Sequence, residues 1–168
     1  TLTAPSNVCE GTAFTLPTVS AVAGYDIEYS IDGLIYSTSP TIPTTPGCHT
    51  VKARYVLASD CGNTLAGATA PALCLESNTV SVVVFPTAPT ITATSNTCAG
   101  TAFSLPAVSA VSGFTVQYSI DGGAFATAPS ATTAGCHTVK ARYVLTAACG
   151  TNAAGTTPPA GCTESNTV

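Results

Sequence analysis

The stretch GCHTVKARYVL occupies residues 47–57 and recurs, letter for letter, at residues 135–145. Apolar and charged side chains alternate within it, since Val51 and Ala53 flank Lys52. A period of two is typical of a β-strand with one buried face and one solvent face. The stretch therefore predicts one β-strand that is used twice, in two copies of a single β-rich unit.

The duplication extends over most of the chain. Two more stretches recur with few changes: SNVCEGTAFTLP at 6–17 with SNTCAGTAFSLP at 95–106, and GYDIEYSIDG at 24–33 with GFTVQYSIDG at 113–122. The copies are about 88 residues apart, which is long for a solenoid unit and ordinary for a small domain with its own core. We therefore predict two domains, residues 1–86 and residues 87–168, called repeat 1 and repeat 2 below.

Repeat 2 is expected to have a truncated final strand. Val168 corresponds to Val80, and the apolar run at 81–85 has no counterpart in the second copy. The sequence shows no signal peptide and no run of about 20 apolar residues that could cross a membrane. We expect a piece of a longer array, monomeric and without membrane insertion.

Strand signals dominate the sequence, and helix signals are scarce. Runs rich in Val, Ile, Tyr, Thr and Phe lie in repeat 1 at 12–16, 25–31, 34–37, 49–57 and 79–85. The Asp-Gly pairs at 32–33 and 121–122 predict tight hairpin turns with positive φ, so the flanking strands should pair directly. Alternation places Tyr25 and Ile31 inward and Ser30 outward. The pattern predicts an all-β fold of two tandem immunoglobulin-like antiparallel β-sandwiches with disulfides.

Eight cysteines fall four to a copy: Cys9, Cys48, Cys61 and Cys74, then Cys98, Cys136, Cys149 and Cys162. An even number without CxxC or HxxxH spacing indicates disulfides rather than zinc. Three pairings are possible within each copy, and the sequence does not choose between them. We favour Cys61–Cys74 with Cys9–Cys48, and in repeat 2 Cys149–Cys162 with Cys98–Cys136. Disulfides predict a location outside the cytoplasm.

Charge is scarce, with four basic and eight acidic side chains and a net charge of −4. So few cations cannot neutralise the several phosphates that nucleic-acid binding requires, which excludes nucleic acid as a partner. No GxSxG, HExxH or phosphate-loop motif occurs. Asp26 and Glu28 become Thr and Gln in repeat 2, and His49 and His137 are interpreted as ordinary strand-end residues. We expect a protein that is not an enzyme and has no catalytic, cofactor or metal site.

The four cations lie in pairs on the duplicated stretch: Lys52 and Arg54, then Lys140 and Arg142. On an outward strand face they are expected to pair with Glu28 or Glu76, as a weak solubilising stripe. They are also the surface that we single out for contact with an acidic polysaccharide.

A carbohydrate-binding module is the alternative interpretation. Such a module needs exposed aromatic rings that stack on sugars. The residues to test are Phe14, Tyr36, Phe103 and Phe125, although a core role is expected of each.

Several motifs carry a resemblance to a known family: CxGTAF before a strand, YSIDG at a hairpin, PGCHTVKARYV in a late strand, and ESNTVSVVVFPTAPT after a cysteine-bearing loop. The chain resembles the tandem immunoglobulin-like or PKD-like repeats of giant Bacteroidota cell-surface adhesins, among them the mobile adhesins of gliding motility. The resemblance covers both repeats. It implies a secreted stalk outside the outer membrane, neighbouring repeats as partners, and attachment to polysaccharide or abiotic surfaces. It implies no catalytic or ligand residues.

Overall fold

A computed structural model of the chain describes residues 1–58, 76–150 and 157–168. Over these residues the protein is all-β, without a helix, and it carries two disulfide bonds. The strands, in chain order, are β1 (Val8–Cys9), β2 (Tyr25–Ile31), β3 (Gly47–Leu57), β4 (Val80–Phe85), β5 (Phe114–Ile120) and β6 (Val139–Leu145). The duplicated stretch thus supplies β3 in repeat 1 and β6 in repeat 2, as its alternation predicts.

The strands of repeat 1 form one sheet in the order β1-β4-β3-β2. β2 pairs antiparallel with β3 along its whole length, and β4 pairs antiparallel with the first half of β3. β1 runs parallel to the end of β4, with Val8 opposite Val84. β4 is therefore an inner strand, and it separates the strands that carry Cys9 and Cys48.

Repeat 2 reproduces the pairing of β2 with β3 in its own strands β5 and β6, in the same register. Val168 exchanges backbone hydrogen bonds with Val139 in both directions, at 2.8 and 3.1 Å. The corresponding residue of repeat 1, Val80, lies opposite Val51 at the start of β4. The pairing of Val168 thus matches the position that the repeat gives it.

The Asp-Gly turns have the predicted backbone. Asp32 and Gly33 have φ values of 52° and 72°, and repeat 2 has the same turn. Two successive positive φ values suit a two-residue hairpin turn, and glycine adopts them without a Cβ clash. Beyond the turn, Tyr29 and Ser37 exchange backbone hydrogen bonds of 2.8 and 3.0 Å. The flanking segments pair directly, although residues 34–37 contribute a single bridge rather than a strand.

The strand predicted at 12–16 is wrong, because these residues form no strand. Phe14 nevertheless packs into the core and is only 3% exposed. Strand propensity reports how well a side chain fits a half-buried surface, and that surface does not require backbone pairing of the same residue. The pairing instead involves the short strand β1.

The core of repeat 1 is built on one face of β4. Its members are Val80, Val82 and Val84 from β4, together with Leu2, Phe14, Ile31, Val51 and Ala53. The inward positions of Ile31, Val51 and Ala53 are confirmed. Two other face predictions are wrong: Tyr25 is 42% exposed, and Ser30 is 5% exposed. The hydroxyl of Ser30 is satisfied by donating to the carbonyl of Leu34 at 2.6 Å.

Candidate functional site: the junction between the repeats

The second face of β4 contacts repeat 2. Val83 and Phe85, which alternate with the core valines, are 0% and 1% exposed. They cluster with Phe114 of β5 and Tyr143 of β6, and the ring centroids of Phe85 and Phe114 are 5.7 Å apart. Such aromatic pairs add about 0.5–1.5 kcal/mol beyond the burial of their area. β4 therefore belongs to the core of repeat 1 and to the junction at once.

Two disulfides cross the same junction. Cys9 bonds to Cys162 and Cys48 bonds to Cys149, with Cα–Cα distances of 5.8 and 5.6 Å. Cys149 and Cys162 are both buried in the apolar cluster around Phe85. In the chain-entropy model, closing a loop with a sequence separation of 153 is worth about 5 kcal/mol. Covalent and apolar contacts thus hold the two repeats together.

The approach of the two repeats is close on both sides of this cluster. A Cβ added to Gly161 would lie 3.6 Å from the sulfur of Cys9, and one added to Gly150 would lie 3.5 Å from the hydroxyl of Ser81. Gly150 also has a φ of 77°, a left-handed value that favours glycine. Gly150 and Gly161, which adjoin Cys149 and Cys162, therefore lie within ordinary contact distance of repeat 1.

The pairings favoured from the sequence are corrected in three cases: Cys9–Cys48, Cys98–Cys136 and Cys149–Cys162. In repeat 1 the physical reason is the inner position of β4. Strands on either side of a third strand lie about 9.6 Å apart, whereas the Cα atoms of a disulfide are usually 4.4 to 6.8 Å apart. Strand β1 and strand β3 are separated in this way, so their cysteines bond with repeat 2 instead. Cys61 and Cys74 lie outside the described residues.

Cys98 and Cys136, the counterparts of Cys9 and Cys48, are unbonded and exposed. With Phe103 and His137 they line an open pocket of about 550 Å³ in repeat 2. The same four positions in repeat 1 would be Cys9, Cys48, Phe14 and His49, two of which are bonded across the junction. The two repeats thus share a sequence and differ in the state of their first two cysteines.

Alkylation of the unreduced protein is expected to modify Cys98 and Cys136, because both thiols are free and exposed. The four bonded cysteines should stay unmodified. Peptide mapping by mass spectrometry should recover linked peptides for Cys9–Cys162 and Cys48–Cys149. A linked Cys98–Cys136 peptide would contradict the two free thiols, and alkylation of the bonded four would contradict the cross-repeat bonds.

The four cations form contacts within their own repeats. Lys52 lies 3.3 Å from Glu76, and Arg54 lies 2.8 Å from Glu28, so the predicted pairing across the sheet is confirmed. In repeat 2, Lys140 lies 3.1 Å from Glu164. Arg142 donates to Gln117, the counterpart of Glu28, at 3.0 Å. Contact with an acidic polysaccharide would therefore compete with partners that these side chains already have.

The aromatic residues named for sugar stacking are all at least partly covered. Phe14 is in the core, and Phe103 stacks on His137 with centroids 6.0 Å apart. The guanidinium of Arg54 lies 4.2 Å from the ring centre of Tyr36, and that of Arg142 lies 4.1 Å from the ring centre of Phe125. Burial first, and then the carboxylate of Glu76, raises the pKa of Tyr36 to about 12. These rings contact other side chains of the protein rather than forming an open platform.

An aspartate and a histidine pair in each repeat, which the sequence interpretation missed. Nδ1 of His49 lies 2.7 Å from the carboxylate of Asp32, and Nε2 lies 3.0 Å from the carbonyl of Thr45. The backbone N–H of Thr50 donates to the same carboxylate at 2.7 Å. Asp32 thus ties the hairpin turn to β3. The available signal was that both residues recur in repeat 2, whereas Asp26 and Glu28 do not.

In repeat 2, the contact between the histidine and the aspartate shifts the pKa of both side chains. Nδ1 of His137 lies 2.6 Å from the carboxylate of Asp121, and Nε2 lies 3.0 Å from the carbonyl of Thr133. Because acceptors face both ring nitrogens, chiefly Asp121, the pKa of His137 is raised. The hydrogen bonds from His137 and from the N–H of Thr138 lower the pKa of Asp121.

These shifts predict how the pair responds to pH. The pKa of His137 is raised on folding, so its contribution to stability is complete below about pH 6.5 and is lost as pH rises through the folded value. The pKa of Asp121 is lowered, so its contribution is present above about pH 3.9 and is lost as pH falls through the folded value. Nuclear magnetic resonance titration of the imidazole should show that Asp121→Asn lowers the pKa of His137. The control Asp26→Asn should leave it unchanged, and an equal response to both changes would contradict the assignment.

No group of three or more His, Cys, Asp or Glu side chains in the described ranges could hold a metal ion. In that same part of the chain, no helix has the length and apolar character that a membrane span requires. Comparison with family profiles, with curated proteins and with solved structures gave no match to this sequence.

Proposed function

We propose that this chain is a structural and adhesive repeat segment of a very long secreted bacterial cell-surface adhesin. It consists of two tandem immunoglobulin-like β-sandwiches that act as a rigid stalk in surface attachment and in gliding motility, and it is not an enzyme. The observation that carries the proposal is the junction. Cys9–Cys162 and Cys48–Cys149, together with the buried ring of Phe85, join repeat 1 to repeat 2.

A stalk needs a fixed geometry between neighbouring units more than it needs a binding pocket. Proline-rich linkers supply moderate stiffness, whereas a buried apolar contact and cross-links restrict the relative rotation of two domains more strongly. Pro86, directly after β4, is itself fully buried. The two disulfides and a buried apolar cluster of this chain lie between the repeats, which favours a structural role.

The setting of the stalk follows from the disulfides and from the resemblance. Disulfides suggest an oxidising extracellular environment. The motifs shared with Bacteroidota adhesin repeats support a position on the cell surface, outside the outer membrane. Neighbouring repeats of the same chain are the proposed partners, and polysaccharide or an abiotic surface is the proposed target of the whole adhesin.

Small-angle X-ray scattering tests the stalk. The oxidised protein should give one maximum dimension with little spread among conformers, because the junction is held at several points. The variant Cys9→Ser/Cys48→Ser, which removes both cross-repeat bonds, should give a broader distribution. The control Cys98→Ser/Cys136→Ser removes two free thiols and should match the wild type. Equal breadth in all three proteins would contradict a disulfide-fixed spacer.

A carbohydrate-binding module remains the second candidate, and glycan arrays distinguish it. Because Tyr36 and Phe125 lie beneath arginine side chains, we expect weak or no binding by this pair of repeats. Lys52→Ala/Arg54→Ala tests the cationic stripe, and it should not alter any signal. Tight binding that this variant abolishes would favour a sugar-binding function over the spacer.

A further inference from the structure

Among the described residues, one face of repeat 1 lacks the partner that its counterpart in repeat 2 has. Phe114 is buried against Phe85 and is 9% exposed, whereas its counterpart Tyr25 is 42% exposed. Val111 is half-buried beside the junction cluster, and its counterpart Val22 is 43% exposed. Two of the four large apolar side chains that are exposed in the described residues are therefore counterparts of junction residues.

One hydrogen bond beneath this face is the same in both repeats. Tyr55 donates its hydroxyl to the carbonyl of Ser20 at 2.7 Å, as Tyr143 does to Ser109 at 2.7 Å. Tyr25 and Tyr55 meet edge to face, with ring centroids 6.3 Å apart. Tyr55 is thus held by the same hydrogen bond as the junction residue Tyr143.

We propose that the face formed by Val22, Tyr25 and Tyr55 is the docking surface for a preceding repeat of the same design. The occupant is the second face of a β4-like strand, with residues equivalent to Val83 and Phe85. This inference rests on the proposed tandem array and names the contact by which the array is built. If the disulfide pattern of this junction repeats along the array, the exposed thiols of Cys98 and Cys136 bond to cysteines of a following repeat.

The cysteine rule gives the proposal a covalent signature. In this chain the first cysteine of one repeat bonds the fourth cysteine of the next, and the second bonds the third. By sequence, Cys61 and Cys74 hold the positions of Cys149 and Cys162. A preceding repeat should therefore use its own first two cysteines in bonds to repeat 1. Each bond forms from two thiols, whose two electrons and two protons pass to an external disulfide or to oxygen through the oxidising folding machinery.

The test adds one repeat to the intact chain. Residues 1–89 are duplicated in front of Thr1, which keeps the natural spacing between repeats. Peptide mapping without reduction should then show the added Cys9 and the added Cys48 each bonded to a peptide of repeat 1. A bond between the added Cys9 and the added Cys48, or free thiols at both, would overturn the proposal.

Hydroxyl-radical footprinting tests the apolar contact without any substitution. Oxidation of Tyr25 should slow several-fold when the extra repeat is present, since Tyr25 would take the burial of Phe114. Ile35, which is 92% exposed on the hairpin and is replaced by alanine at its counterpart, provides the control and should react equally in both proteins. An unchanged rate at Tyr25 would overturn the docking surface.

The two proposals fail in different experiments. Tight glycan binding would contradict the spacer function, but it would not change the disulfides found by peptide mapping. Within-repeat disulfides in the three-repeat chain would remove the docking surface while the two-repeat chain could still act as a spacer.

Discussion

Pulled from its two ends in the oxidised state, the chain should lengthen far less than its 168 residues allow. Cys9–Cys162 closes a loop with a sequence separation of 153, so tension passes through that bond and bypasses both repeats. Reduction opens the loop and should release about 500 Å, at up to about 3.5 Å per residue. Single-molecule force spectroscopy with and without reductant measures this difference directly.

Single cysteine substitutions separate the contributions of the two disulfides to the extension of the chain. Cys9→Ser should release only about 180 Å, because Cys48–Cys149 still closes a loop with a separation of 101. Cys48→Ser alone should release nothing further, since the outer bond still carries the tension. Cys98→Ser is the matched control, because its thiol is free and exposed. A release of several hundred ångströms from the oxidised wild type would instead indicate disulfides within each repeat.

Phe85→Ala should lower the free energy of unfolding by about 3–5 kcal/mol. Phe85 is 1% exposed, and its removal would leave a cavity between β4 and Phe114 that the cross-linked junction could close only in part. Urea denaturation of the oxidised protein, followed by circular dichroism, measures the change. The loss should be seen without reduction, because it comes from packing rather than from the bonds.

Tyr25→Ala is the control for this experiment. Tyr25 is the counterpart of Phe114, so the sequence alone predicts the same burial for the two side chains. It is 42% exposed, and its removal should cost about 1 kcal/mol or less. Equal losses for Phe85→Ala and Tyr25→Ala would mean that the junction adds no packing energy.

Local features of the fold could be predicted from the sequence because each depends on neighbouring residues. Alternation at 25–31 and 47–57 predicts β2 and β3, and Asp32-Gly33 predicts the turn. The alternation also predicts Val51 in the core. It fails at Tyr25, which is exposed, because the pattern of one strand does not show whether another part of the protein covers that face, as Phe85 covers Phe114.

The disulfides could not be predicted in this way because strand order is a long-range property. Pairing Cys9 with Cys48 assumed that their strands start at the same pole of a sandwich, whereas β1 and β3 lie in one sheet with β4 between them. One signal was available. Residues 82–85 are apolar without alternation, which indicates a strand buried on both faces. That signal identifies β4 as an inner strand, although it does not identify what covers its second face.

The bond between Cys9 and Cys162 also imposes an order in time. A chain that emerges amino end first exposes Cys9 and Cys48 long before their partners have been made. Repeat 1 must therefore keep two reduced thiols until repeat 2 has folded against it. Its oxidation thus follows the folding of repeat 2, whose own Cys98 and Cys136 are free thiols that can exchange with other thiols.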